Sequence, residues 1–246
     1  MPRSLCLSFD VDWAPDFVID HVSELCVAGG AKSTWFVTHA SAATERLGRH
    51  ENLIELGLHP NFMAGSTHGS TSDEVIAHCR GLVPGAVSIR THGVFQSGPL
   101  LAQLVEKAGV KIDSSILLPE MPHIRPVRLP TPAGWLMRVP CFWADDYHLL
   151  KAEDDWSLSR YQDMPGLQTY VFHPIHVYLN SISPRQYDRV RTVIPDLSSA
   201  SRRDLAPFVN KSSESGIAVM LCRLLAELKA QGGGLQIRDF LSDQST

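Results

Sequence analysis

The chain of 246 residues has no CxxC pair, no basic cluster and no long apolar run, and each absence removes a class of protein. Its five cysteines, at 6, 26, 79, 141 and 222, are odd in number and scattered. That pattern excludes a zinc ribbon or a disulfide framework and suits reduced, buried thiols. Lysine and arginine total 22 against 26 aspartates and glutamates, a net charge of -4 with no stretch that gathers the cations. Nucleic acid is therefore excluded as a partner, because neutralising phosphates needs a basic face. Met1-Pro2-Arg3 leads straight into the first apolar run with no signal, transit or membrane-spanning segment, so a cytoplasmic protein is expected. No repeat or linker divides the chain, and one domain over 1–246 is expected; oligomeric state is not legible.

What is present alternates. Apolar runs separated by helical patterns indicate βα units, and strands are predicted at 4–9, 33–38, 57–59, 86–90, 111–115, 135–141 and 168–177. "STSDEVIAHCRGL" carries a capping box, Thr71 three residues before Glu74, and "SGPLLAQLVEKAG" opens at Ser97 and Pro99 and stops at Gly109. Another helix starts at Ser183-Pro184, and Ile217, Leu221, Leu224, Leu225 and Leu228 give a last amphipathic one within 214–231. The proline-rich stretch 119–134 and the Ser/Arg-rich stretch 195–213 read as long surface loops. An α/β barrel or a doubly wound sheet accommodates this order, and both collect active sites at the C-terminal ends of their strands.

Those ends carry ionisable groups. "CLSFDVDWAP" leaves a buried run at Asp10 and Asp12; "ELGLHPNF" places His59, followed by His68 in "STHG"; "SIRTHG" places Arg90 and His92; "FWADDY" places Trp143, Asp145 and Asp146. "TYVFHPIHVYLN" places His173 and His176, which strand alternation sends to opposite faces, leaving open which one points inward. One carboxylate with two histidines makes an open facial site for Zn²⁺ or another divalent ion. Such an ion lowers the pKa of bound water to about 7 and polarises a carbonyl, leaving a nearby carboxylate to take the proton and a histidine to serve as acid.

In this order the motifs resemble those of the polysaccharide deacetylases, the NodB-homology group of carbohydrate esterases, over about residues 4–180. "SFDVDW" is similar to the first motif of that family, "LHPNFMAGSTHG" to its metal-histidine motif, "RTHG" to its arginine motif and "VFHPIHV" to its final histidine motif. The resemblance implies an irregular (β/α) barrel of about seven strands. It also implies Asp10 as catalytic base, Arg90 as the partner keeping it ionised, Asp12, His59 and His68 as metal ligands, and His173 as acid. His92, Trp143, Asp145, Asp146 and His176 are then candidates to touch substrate, with Asp145 or Asp146 orienting the acid histidine. The implied reaction removes an N-acyl group, acetyl above all, from an amino sugar or glycan precursor of surface polysaccharide. This chain departs from the family in three places: Val11 separates the paired aspartates, eight residues separate His59 from His68, and Thr91-His92-Gly93 replaces a proline and an aromatic.

Three other functions share parts of this pattern. Asp-x-Asp after a buried strand also opens haloacid-dehalogenase-type Mg²⁺ phosphatases, but Mg²⁺ takes oxygen ligands and has no use for the histidines. Non-haem iron oxygenases use two histidines and a carboxylate, usually with a tight His-x-Asp pair that is missing here. A sugar-binding barrel without chemistry would keep the fold and lose turnover.

Overall fold

The computed structural model describes residues 2–242; Met1 and 243–246, the ends of the expected domain, lie outside the described residues. Among the described residues nine strands form one sheet: β1 (Arg3–Asp10), β2 (Ser33–Val37), β3 (Ile54–Leu58), β4 (Ser88–Ile89), β5 (Ile112–Asp113), β6 (Val127–Thr131), β7 (Gly134–Arg138), β8 (Trp143–Ala144) and β9 (Gly166–Phe172). They are ordered β6-β7-β5-β4-β3-β2-β1-β9-β8, and every pairing is parallel except the β6–β7 hairpin. Parallel strands need crossovers, supplied by α1 (Asp16–Gly29), α2 (Ala42–Leu47), α3 (Ser72–Leu82) and α4 (Gly98–Glu106), with α5 (Asp145–Lys151) directly after β8. Beyond β9 come α6 (Pro174–Tyr178), α7 (Pro184–Val193), α8 (Arg202–Leu205) and α9 (Ile217–Ala230).

The sheet curls until its edges meet. The run from Gly134 to Ala144 pairs with β5 at one end and with β9 at the other, and between them Cys141 bridges Leu117. Counted around the ring, β1 to β5, the 134–144 run and β9 make the irregular seven-stranded barrel expected from the sequence, with β6 outside it. β1 lies between β2 and β9 and is buried on both faces, so Leu5 to Phe9 read as an apolar run broken only by Ser8. Phe9 stacks on Trp35 at 4.2 Å and approaches Phe172 at 6.0 Å, which fixes the end of β1 where the aspartates emerge.

Local signals held where chemistry was explicit. Thr71 and Glu74 form the reciprocal capping box of α3, Ser97 caps α4, and the last helix follows its apolar stripe. Three expectations need correction. Within 195–213, expected to be all loop, Ser201 caps the short helix α8. The stretch 119–134 is not all loop, since 127–131 forms a strand of the outer hairpin; paired backbone groups, not periodicity, hold it. The strand expected over 168–177 ends at Phe172, because Pro174 occupies the first turn of a helix and cannot donate to a ladder. All five cysteines carry free thiols, and four of them are buried, Cys222 being exposed.

Candidate active site

Asp10 is the last residue of β1 and Asp12 lies two positions on, past the fully buried Val11, and both carboxylates face the same imidazole of His59. The chain then turns through two left-handed residues, Asp12 at φ 45° and Trp13 at φ 54°. Such conformations cost on the order of 1–3 kcal/mol each and persist only when the surroundings enforce them. Here Val11 N–H donates to Phe36, Trp13 N–H to the Thr38 hydroxyl and Ala14 N–H back to Val11. These hydrogen bonds hold Asp12 in place.

Asp10 pairs with Arg90, Nη1 to Oδ1 at 2.8 Å, and Arg90 is 1% exposed. The guanidinium also donates to the Ser8 hydroxyl and to the Ser114 hydroxyl and carbonyl, and lies 4.4 Å from the centre of the Phe36 ring. Phe36 reaches that position over Gly57, where any Cβ would come within 2.7 Å of the ring. Burial alone would lower the Arg90 pKa; the Asp10 charge beside it outweighs burial and raises it.

His59 follows β3 and is fully enclosed. Its Nδ1–H donates to the Arg90 carbonyl at 2.7 Å, which leaves the Nε2 lone pair facing Asp12 Oδ1 at 3.0 Å and Asp10 Oδ2 at 3.9 Å. Nε2 is buried and has no hydrogen-bond partner among the described residues. His92 approaches the same Asp12 oxygen from the β4 side, Nδ1 at 3.0 Å, with its ring perpendicular to that of His59. Donor atoms of Asp12, His59 and His92 lie within 4.8 Å of one another, close enough to share an ion. Burial would raise the Asp12 pKa, but its close contacts with the His59 and His92 rings and nearby imidazole charge hold it well below the usual carboxylate range. The bond to Asp12 in turn raises His92.

His68, expected in this cluster, does not join it. Its Nδ1 accepts from the Asn61 amide at 3.1 Å and its Nε2–H donates to the Thr38 carbonyl at 2.8 Å, so neither nitrogen is left for an ion. Burial pushes its pKa down to about 4, with the His78 ring stacked at 4.9 Å adding to the effect. Its ring instead supports Trp13, whose indole stands between His68 and His92 at 5.4 Å from each. The signal for His92 lay in the altered arginine motif, where a histidine stands in the groove wall.

On the opposite side His173 caps α6. Its Nδ1–H donates to Asp145 Oδ1 at 2.6 Å, its backbone N–H donates to Asp145 Oδ2 at 2.7 Å, and Nε2 faces Asp12 Oδ2 at 3.5 Å. Burial would depress this imidazole, but the Asp145 charge and hydrogen bond hold it well above the usual histidine range. Asp145 is fully buried and therefore orients His173 rather than touching a ligand. Trp143 is also corrected: at 1% exposure it packs on Tyr170 and Phe172 inside the core. Because residues 174–178 are helical, alternation does not separate His173 from His176; His176 bonds the Ser181 hydroxyl and lies against Tyr187.

Two cavities meet here. One of about 330 Å³ is lined by Asp10, Asp12, His59, Arg90, His92 and His173, and one of about 240 Å³ by Asp12, His173, His176 and Tyr187; Asp146 borders both.

Barrel, aspartate pair and histidines define a deacetylase of the carbohydrate-esterase type. The chain belongs to the WbmS-like polysaccharide deacetylase family, whose model matches residues 7–191. It is similar to WbmS of Bordetella bronchiseptica, described as a polysaccharide deacetylase involved in O-antigen biosynthesis. The two share 32% identity at a TM-score of 0.79 over 91% of this chain and 90% of that one. A 4-alpha-glucanotransferase of Thermococcus litoralis shares the fold alone, with 7% identity and a TM-score of 0.53 over 99% of this chain and 38% of that one. No curated protein matches the chain. Family membership removes the phosphatase and iron-oxygenase alternatives. Among the described residues no helix is long and apolar enough to cross a membrane.

Proposed function

We propose that this protein hydrolyses the N-acyl group, acetyl, of an amino sugar within a surface-glycan precursor, using a divalent ion held by Asp12, His59 and His92. One observation carries the reading: the buried Nε2 of His59 has no hydrogen bond among the described residues, is aimed at Asp12 and is flanked by His92. Two imidazoles and a carboxylate suit zinc. When bound, such an ion polarises a carbonyl and lowers the pKa of water to about 7.

The chain's own residues do the rest. Asp10, paired with Arg90, takes the proton of the attacking water. Arg90 also braces His59 through its carbonyl, so base and ligand share one support. His173, its Nδ1–H fixed by Asp145, presents Nε2 toward Asp12 and gives a proton to the departing nitrogen. The new C–O bond comes from water, the C–N bond breaks, and the products are a free acid and an amine. The relative's described part in O-antigen biosynthesis supports a glycan precursor as substrate.

The test is metal analysis of the purified protein beside acetate and formate release from a panel of N-acylated sugars, with Asp10→Asn as control. Bound metal, acetate release and loss of release in the variant are expected. Full activity in Asp10→Asn overturns the base assignment, and stoichiometric metal without turnover supports a sugar-binding barrel.

A further inference from the structure

Asp113 and Arg138 form an ion pair that the proposed chemistry does not use. They are direct partners across β5 and β7, with Arg138 Nε 2.6 Å from Asp113 Oδ2, and they are 0% and 7% exposed. Neither lines the catalytic cavity. An ion pair this deep gains little net stability, because lost hydration offsets the attraction between its charges. What it supplies is direction, and its two partners reach opposite ends of one segment.

That segment is the turn from Thr91 to Gln96, which carries His92. Asp113 reaches its start. Thr91 N–H donates to the Ser115 hydroxyl at 2.9 Å, that hydroxyl donates to Asp113 Oδ1 at 2.6 Å, and Ser115 N–H donates to Asp113 Oδ2 at 3.2 Å. The donors run one way, from amide through hydroxyl to carboxylate, so the Asp113 charge strengthens the whole chain. Arg138 reaches the other end, its Nη2 donating to Gln96 Oε1 at 2.5 Å. Between the two holds the backbone passes through Gly93 at φ 62° and Val94 at φ 49°, the latter a β-branched residue in a conformation such residues rarely adopt. The Thr91 hydroxyl donates to the Phe95 carbonyl and Val94 N–H to the Thr91 carbonyl, which closes the turn on itself, while His92 N–H donates to Pro60 in the loop after β3.

We infer that the Asp113–Arg138 pair is the positioning device of His92: one buried ion pair grips both ends of the turn and thereby sets the 3.0 Å approach of the imidazole to Asp12. The inference rests on the proposed function for His92 as a metal ligand and goes beyond it by naming the residues that place that ligand. Asp113 and Arg138 act through Ser115, Gln96 and the turn, not on the ion or the substrate.

The test reads Co²⁺ affinity by calorimetry and, on metal-free protein, hydrogen exchange of the 91–96 amides by mass spectrometry. The variants are Ser115→Ala, Gln96→Ala, Arg138→Gln, His92→Ala, Ser115→Ala combined with His92→Ala, and Ser33→Ala as control. Ser33, at the start of β2, is a fully buried hydroxyl that accepts from the Trp35 indole, so its loss destabilises the barrel away from the turn. Ser115→Ala and Arg138→Gln should weaken Co²⁺ binding by roughly tenfold and speed exchange across the turn, with a smaller effect from Gln96→Ala. Ser33→Ala should do neither. Ser115→Ala and Gln96→Ala leave the ion pair in place, so the outcome does not depend on Arg138→Gln folding. In the His92→Ala background Ser115→Ala should add nothing, because a positioning residue has no effect once the group it places is gone. Wild-type affinity in Ser115→Ala beside lost affinity in His92→Ala, or a Ser115 effect undiminished without His92, would overturn the inference. Wild-type affinity in His92→Ala would instead refute the ligand assignment, and the exchange rates, read without metal, would then uphold or refute the grip on the turn by themselves.

Discussion

His173 donates its Nδ1 proton to Asp145 across 2.6 Å, and the same carboxylate takes the His173 backbone amide. Two contacts from one fully buried carboxylate fix both the tautomer and the orientation of the ring. Asp145→Asn should therefore lower kcat by roughly 10–100-fold, against roughly 10²–10⁴-fold for His173→Ala. Asp145 raises the His173 pKa, so removing its charge should move the alkaline limb of the kcat profile to lower pH. An unshifted limb would make Asp145 a packing residue only.

His92 and His68 give opposite predictions. His92→Ala should weaken metal retention by more than the roughly 10–100-fold that loss of a supporting group costs. His68→Ala should retain metal, because both ring nitrogens already serve Asn61 and Thr38. Metal content after dialysis against a weak chelator decides between them, and metal loss confined to His68→Ala would reinstate the order read from sequence.

His68 also makes stability depend on acid. Its folded pKa, near 4, lies below the unfolded value of 6.5, so the unfolded chain binds the extra proton between these values. Stability from this group is present above pH 6.5 and is lost as pH falls toward 4, at about 1.4 kcal/mol for each pH unit of difference. Chemical denaturation at pH 7 and pH 5 should show a smaller acid loss in His68→Gln than in wild type.

Arg90 and Asp10 differ in what their removal leaves behind. Arg90→Met strands a buried carboxylate and should cost about 3–5 kcal/mol of stability as well as activity. Asp10→Asn leaves Arg90 with Ser8 and Ser114 as acceptors and should abolish turnover with the smaller stability loss. Urea midpoints of the two variants check the order.

Thiol reactivity tests the core. Cys6 and Cys26 are pushed far up by burial and Cys79 to about 12, whereas Cys222 is exposed. The native protein should titrate one thiol and the unfolded chain five.

Asp10, Asp12, His59 and Arg90 were legible because they lie at or just after the end of a strand, and strand ends in a parallel barrel converge whatever the loops do; His173, read inside a strand, was preferred to His176 only through the family resemblance. Capping residues such as Thr71 and Ser97 were legible for the same local reason. The end of β9 was misread because Val171, Phe172, Ile175 and Val177 prolong an apolar run, although Pro174 marks a helix start. Trp143 looked like a groove residue, since a sequence does not say which side of a short strand faces the core.

The sequence by itself determined the alternation of strands and helices and the chemistry available at the strand ends. Only the tertiary structure decided which histidine completes the cluster. His68 and His92 lie on loops from neighbouring strands, and periodicity carries no information on how far a loop folds inward. Strained turns at Asp12-Trp13 and Gly93-Val94, held by hydrogen bonds from three other segments, bring Asp12 and His92 to 3.0 Å while Asn61 and Thr38 hold His68 aside.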